Sequence, residues 1–434
     1  KKPGNKETNQ GQTYFKYFVG LIIFHIIAYV IFRFLDKGYQ TWDSAGHISL
    51  ALKFAELYKK LLHDPGVSLE GILTTSFYYP PLMHMTAAFL ILVFGKSSLV
   101  PLSLIFLLFL LSLYLLYRLI IMLGFSSKIA FFTTFFYSLF PIITDQARLF
   151  HTETPMLVLI LMGCIFLVKS DYLRKSKWVY LFFAVLGLGQ LLRWFTALFL
   201  FIPFVYVFYK AVFVQGRFKE VLPKLVFGSL IFFAIWPIWY LLNFRLMRLV
   251  GGWFAEGEVD DPQILFSVEN FTFYLQSLFG STVFLVPMLG AIVGFYLFFK
   301  KKRHFGYWFL AGFTFIYMIF TLISNKNSRY IIGLLIPIAF MISYGISRLK
   351  KRFYTVLLIF FALLGFFFTS FNSVKLSSPT SKFWGVVFGG PFYTPMYLKP
   401  TIYAYNPVKN PVEDILKFIS EDAKEQGIDP VGVI

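Results

Sequence analysis

Apolar residues in this chain come in long uninterrupted runs, separated by short polar punctuation. Runs of about 18 or more apolar residues are long enough to cross a bilayer as helices. The pattern predicts spans near 15–35, 98–121, 128–143, 154–170, 178–192, 194–214, 224–242, 275–299, 306–324, 330–347 and 353–371. Residues 80–95 are apolar too, but at 16 residues the run is short for a span and it holds His84. Between the first two spans, residues 48–62 alternate with a helical period. Ile48, Leu52, Ala55, Tyr58 and Leu62 share one face, while Lys53, Glu56, Lys59 and Lys60 take the other. That is the pattern of a helix lying in a membrane interface.

Beyond residue 371 the character changes. A stretch rich in Pro and Ser leads to Asn410-Pro411-Val412-Glu413, which reads as an N-cap, a Pro at N1 and an acid at N3. Asp429-Pro430-Val431-Gly432-Val433-Ile434 reads as an opening strand. The expected organisation is an all-α polytopic membrane domain over 1–371, with a first outer loop at 36–97. A segment at 372–434 follows, read as the start of a soluble α/β domain that is cut short outside the membrane.

Composition confirms the class: 58% of residues are hydrophobic and only 14% charged, with a mean hydropathy of +0.70. The formal net charge of +19 would suit nucleic acid if it were clustered, but it is distributed by topology. With 80–95 at the surface, one side of the membrane collects 22 bases against three acids, Glu7, Asp171 and Glu220. Basic flanks stay in the cytoplasm. The register therefore puts eleven spans in the membrane, the N-terminus inside, and loops 36–97, 144–153, 243–274 and 325–329 outside. Membrane lipids are the expected surroundings and nucleic acid is not a partner. The single cysteine, Cys164, excludes an intrachain disulfide. Gly187-Leu188-Gly189 lacks a third glycine and a preceding strand, so it reads as helix packing.

The candidate chemistry lies in the outer loops. Asp43, just past the first span, is a carboxylate placed to take a proton from an acceptor hydroxyl. Trp42, His47, Tyr79 and His84 are its neighbours in the first loop. Arg148, Arg193, Lys326 and Arg329 are the cations available on that side, with Tyr330 at the mouth of its span. Arg193 stands between two apolar runs, where a charge is costly and usually has a task. His47, His84 and His151 lack the tight spacing of a metal site, and no resident metal or other cofactor is expected. Charges in loops, without an internal repeat, argue against a transporter.

At these residues the chain resembles the GT-C membrane glycosyltransferases, in the branch of protein O-mannosyltransferases and bacterial aminoarabinose or other polyprenyl-phosphate-sugar transferases. Four stretches match in order over roughly residues 10–370: Trp42-Asp43-Ser44-Ala45-Gly46-His47; Tyr79-Pro80-Pro81-Leu82 opening a helix that ends at Phe94-Gly95; Arg148 to Pro155; and Asn325 to Tyr330. The resemblance implies a GT-C fold and an enzyme that moves a hexose or pentose. The donor would be a polyprenyl-phosphate sugar, and the acceptor a hydroxyl on a glycan, lipid or protein. Transfer would take place with inversion at the extracytoplasmic face of a prokaryotic inner or plasma membrane. It implies Asp43 as general base, with the acid of the second outer loop, Glu153, assisting. The leaving polyprenyl phosphate that it implies would need cations facing it, such as Arg148, Arg193, Lys326 and Arg329. Many relatives carry Asp at the latter position and Lys where this chain has Tyr79. The alternatives are a GT-C-type transferase or polymerase using diphosphate-linked oligosaccharides and, more distantly, a polytopic transporter or lipid flippase.

Overall fold

The computed structural model describes residues 4–36, 42–63, 69–76, 79–256, 264–301, 303–349 and 351–371, so the expected helix and strand beyond residue 371 lie outside the described residues. Within them the chain is helical, with no strand. In order the helices are α1 (Gly4–Leu35), α2 (Trp42–His63), α3 (Leu69–Thr74), α4 (Leu82–Phe94), α5 (Leu99–Met122), α6 (Ser127–Leu139), α7 (Pro141–Gln146), α8 (Glu153–Lys169) and α9 (Ser176–Leu192). They continue with α10 (Thr196–Tyr209), α11 (Phe218–Ile235), α12 (Pro237–Glu256), α13 (Val268–Ser277), α14 (Leu285–Lys301), α15 (Arg303–Thr321), α16 (Leu335–Leu349) and α17 (Arg352–Phe371).

Five of these segments are individually long and apolar enough to cross a membrane: Gly11–Leu35, Leu99–Met122, Thr196–Val214, Ser328–Leu349 and Arg352–Phe371. Counting each of two bent pairs as one span gives up to seven. The chain is thus a multi-pass integral membrane protein.

Several expected spans are interrupted, each for a local reason. The run 128–143 breaks at Phe140, where Pro141 cannot continue the ladder and starts α7 instead. The run 224–242 bends by 45° at Trp236, again before a proline, Pro237. The run 275–299 is not continuous. It turns through 118° between Thr282 and Leu285, with Phe284 at φ 73° in the left-handed region. The run 330–347 begins as a 3-10 segment, Ser328–Leu334, before α16. Finally, the interfacial helix starts earlier than its periodicity suggests. Trp42 opens α2, so Asp43 stands in a helical first turn instead of a loop.

Buried side chains form one continuous cluster running through the bundle. On α2 the polar side is as predicted, with Lys53, Glu56, Lys59 and Lys60 exposed. Of the predicted apolar face Ile48 and Ala55 are buried and Leu52 and Tyr58 half-buried, while Ala51 and Phe54 are buried as well. The buried face packs on α4, through Ala87 and Ala88, which are fully buried. This places the 80–95 segment beside the amphipathic helix. Lys96 and Glu56 close the same corner with an exposed ion pair at 2.9 Å.

The tightest crossing is α14 on α16. A Cβ built on Gly294 would lie 1.8 Å from the Met341 carbonyl oxygen, and one on Gly345 would lie 3.1 Å from Gly294 Cα. Gly294 meets backbone that a side chain would have to displace, so that position needs glycine for close approach of the helix axes. At Gly345 the neighbouring backbone would have to give by a few tenths of an ångström.

Candidate active site

Four segments distant in sequence bring their charged residues to one end of the bundle. The first is the opening turn of α2. There Ser44 Oγ accepts the Phe150 N–H at 3.0 Å and ties the turn to the loop before α8. Asp43, one residue earlier, keeps 42% of its side chain exposed.

The second segment is the loop 147–152 running into α8. Thr154 Oγ1 donates to the Gln146 carbonyl at 2.8 Å, and Pro155 fills a first-turn position where no N–H is needed. Glu153 thereby starts the helix, and its side chain is 1% exposed.

The third is the turn between α9 and α10. The Arg193 N–H donates to Gly189 O at 2.8 Å, while Thr196 Oγ1 donates to the Arg193 carbonyl at 2.7 Å. A Cβ on Gly189 would meet Thr196 Cγ2 at 2.8 Å, so the turn is this tight because residue 189 is glycine. Gly187 meanwhile lies 3.0 Å from Ile235 by the same measure, consistent with its reading as a packing residue.

The fourth is the 3-10 segment Ser328–Leu334. Asn327 caps it by accepting the Arg329 N–H at 3.0 Å, and it also accepts from Arg329 Nε at 3.1 Å. The capping residue therefore aims the side chain it precedes.

What results is a line of alternating charge. Arg329 Nη2 donates to Asp43 Oδ2 at 2.9 Å, and its Nε lies 3.8 Å from Glu153 Oε1. Arg193 Nη1 pairs with the same Glu153 oxygen and donates to Thr152 Oγ1 at 2.7 Å. The Arg193 guanidinium lies 4.4 Å from the Phe195 ring centroid and 5.5 Å from that of Tyr330. Tyr330 is oriented by donating to Asn325 Oδ1 at 2.7 Å.

The histidines line the neighbouring wall. His47, one turn after Asp43 on α2, has Nδ1 2.8 Å from His84 Nε2, and its ring centroid is 4.3 Å from that of Tyr79. His151 lies 6.0 Å from His47 by ring centroid. Burial lowers His151 to about 4, a shift that Glu153 opposes and Arg329 adds to, so the imidazole is neutral near pH 7. Among the described residues no group of three or more His, Cys, Asp or Glu could hold a metal ion.

Of the residues expected from sequence, the structure gathers Asp43, Glu153, Arg193, Arg329 and Tyr330, with His47, Tyr79 and His84 beside them. Trp42 opens the same helix, but its side chain lies outside the described set. The other two expected phosphate cations make contacts with other parts of the fold. Lys326 Nζ donates to the carbonyls of Phe320 (3.0 Å), Thr321 (2.6 Å) and Ile323, closing the C-terminus of α15. Arg148 lies 4.1 Å from the Phe32 ring centroid and donates to Ser370 Oγ at 2.7 Å, which joins α1 to α17.

Asp145 and Gln146 carried no signal in the sequence, and Thr152 and Asn327 lay within the matched stretches without being singled out. Gln146 Nε2 donates to Asp145 Oδ2 at 2.9 Å, and its Oε1 is 2.9 Å from His151 Nδ1. Burial pushes the Asp145 carboxyl up to about 7, while Arg148 draws it down. Only the Asx-like position of Asn327 before a helical segment could have been noticed beforehand.

Behind the charged cluster, α5, α8, α10, α15 and α16 enclose an apolar cavity of about 560 Å³. Phe199, Gly333 and Leu334 stand at the end nearer Tyr330, with Tyr172, Tyr206 and Trp308 at the other.

Residues 79–240 match the family model described as dolichyl-phosphate-mannose-protein mannosyltransferase. No curated protein sequence matches the chain. Among solved structures, the fold is similar to ArnT from Cupriavidus metallidurans bound to undecaprenyl phosphate, with TM-score 0.58 and 15% identity. That match covers 80% of this chain and 63% of the other. The apo state of the same protein gives TM-score 0.56 at 14% identity, covering 81% and 63%. The chain thus spans a little under two thirds of the length of these structures. The family-model match and the shared fold together bear out the resemblance read from the sequence, to the GT-C class of membrane glycosyltransferases.

Proposed function

We propose that the chain transfers a sugar from a polyprenyl-phosphate carrier to an acceptor hydroxyl at the extracytoplasmic face of the membrane. The observation that carries this reading is the Asp43–Arg329–Glu153–Arg193 line, which sets a half-exposed carboxylate beside two guanidiniums. In this reading Asp43 takes the acceptor's proton as the acceptor oxygen bonds to the anomeric carbon. The bond from that carbon to the phosphate oxygen breaks, and the charge left on the carrier's phosphate is met by Arg329 and Arg193. Attack opposite the leaving group gives inversion. Glu153 holds the two guanidiniums at one spacing. His47, Tyr79 and His84 border the sugar or acceptor, and the apolar cavity offers room for part of the carrier's chain. The undecaprenyl phosphate of the similar structure supports a ligand of this class.

Arg193 supplies the direct test. Lysine keeps the charge but loses the planar fork that pairs with two phosphate oxygens. Arg193→Lys should therefore weaken binding of undecaprenyl phosphate to the purified protein, and Arg193→Ala should weaken it further, by roughly tenfold or more. Acceptor KM should move less than donor KM. Equal affinity in wild type and Arg193→Ala would make this a structural arginine and remove the main support for a phosphate here.

The reading also assigns the sides of the membrane, with eleven helices crossing. Single cysteines at Lys301 and Arg352 should react with an impermeant thiol reagent only from the cytoplasm, and one at Lys96 only from outside. Reaction of the Lys301 position from outside would overturn this topology.

A further inference from the structure

His151 stands between two groups that make opposite demands on a single nitrogen. Its Nδ1 is 2.9 Å from Gln146 Oε1 and 3.2 Å from Arg329 Nη1. An amide oxygen only accepts and a guanidinium only donates, so a neutral imidazole can satisfy one of them at a time. A proton on Nδ1 answers Gln146, whereas a bare Nδ1 answers Arg329.

With Asp145 ionised, Gln146 decides between them, because its amide is then not free to turn. Its Nε2 donates to Asp145 Oδ2 at 2.9 Å, and Asp145, Gln146 and His151 are all buried. Flipping the amide would set its oxygen against the Asp145 carboxylate. The chain from Asp145 through Gln146 thus places the imidazole proton on Nδ1. For Arg329 the consequence is specific. Its Nη2 has Asp43 as partner and its Nε has Asn327, while Nη1 has the His151 nitrogen as its neighbour. An N–H on that nitrogen leaves Nη1 no acceptor among the described residues.

We propose that Asp145 and Gln146 are positioning residues that hold His151 as its Nδ1–H tautomer and thereby keep Arg329 Nη1 available for an oxygen of a lipid-linked phosphate. This rests on the phosphate reading of the site given above. The inventory of hydrogen-bonding groups carries it, and the neutrality of His151 near pH 7 makes the tautomer the relevant variable.

The tautomer is directly readable. In ¹⁵N-histidine-labelled wild-type protein in detergent, at about pH 8 where a carboxyl titrating near 7 is ionised, the His151 signals should show a protonated Nδ1 and a bare Nε2. Assignment comes from the signals lost in His151→Asn. An Nε2–H form in wild type overturns the proposal, and this measurement requires no functional variant. Gln146→Leu should shift His151 to the Nε2–H form and weaken undecaprenyl phosphate binding by roughly tenfold, the effect of one charged hydrogen bond. Asp145→Asn, which keeps the shape, should change both readings in the same direction by less. In a His151→Leu background, Gln146→Leu should add no further loss. An equal loss with and without His151, or unchanged affinity in Gln146→Leu while Arg329→Ala binds weakly, would overturn the positioning role alone. If Arg329→Ala binds undecaprenyl phosphate as wild type does, the phosphate reading itself fails, whatever the tautomer.

Discussion

Asp43→Asn is expected to leave a folded protein that still binds a polyprenyl phosphate and has lost about two to four powers of ten in turnover. Asparagine nearly matches aspartate in shape, so Ser44 can still tie the start of α2 to Phe150. It can also still accept the Arg329 Nη2–H that Asp43 accepts at 2.9 Å. What it cannot do is receive a proton from an attacking hydroxyl. The loss should therefore fall on kcat, with the donor's dissociation constant changed by only a few fold. Single-turnover transfer by the purified protein, with binding measured separately, distinguishes the two. Near-wild-type transfer by the Asn variant would show that the proton goes elsewhere.

The second large effect concerns stability. Glu153, with a side chain 1% exposed, is the one acid among the described residues that Arg193 and Arg329 both approach. Glu153→Leu leaves two guanidiniums close together with that shared anion gone. Breaking a buried ion pair by removing one partner typically costs about 3–5 kcal/mol, because the remaining charge is uncompensated. The variant should unfold at a markedly lower denaturant concentration in micelles, while Glu153→Gln, which keeps an acceptor, should lose less. Undecaprenyl phosphate should restore part of the lost stability, since it brings an anion back between the cations. An unaltered unfolding midpoint in Glu153→Leu would mean that water or other groups already neutralise the pair.

Which parts of this were legible beforehand follows from the range of the forces involved. Hydropathy and charge asymmetry are sums over many residues, so they reported the membrane class and the common side of Asp43, Glu153, Arg193 and Arg329. They could not report the bends at Phe140, Trp236 and Phe284, because an apolar run looks the same whether its helix is straight or broken. Arg148 and Lys326 show the same limit for single residues. Each lies in a loop, but direction is decided by partners that charge counting does not see. Arg148 reaches Ser370, 222 positions away. Lys326 follows α15 so closely that its local C-capping could have been anticipated. Gln146 and Asp145 were invisible for another reason. Neutral or lone polar residues at the end of a six-residue helix have no period and no motif, and only the fold brings them to His151.

The glycine crossing of α14 and α16 bears on precision at the other end of the molecule. The 3-10 segment that carries Arg329 runs without interruption into α16, so Arg329 is fixed to one end of a rod. Gly345, ten residues past the start of α16, is where that rod is gripped by Gly294, about 15 Å along the axis. A joint with no clearance for a methyl group permits neither sliding nor rolling. It thus serves as a reference point against which the guanidinium's position along the bundle is set. Groups that meet a developing charge must be held to within about 0.5 Å, a tolerance that a surface loop alone would not keep. A substitution that loosened the joint would act as a change of alignment at Asp43, far from any atom it touched.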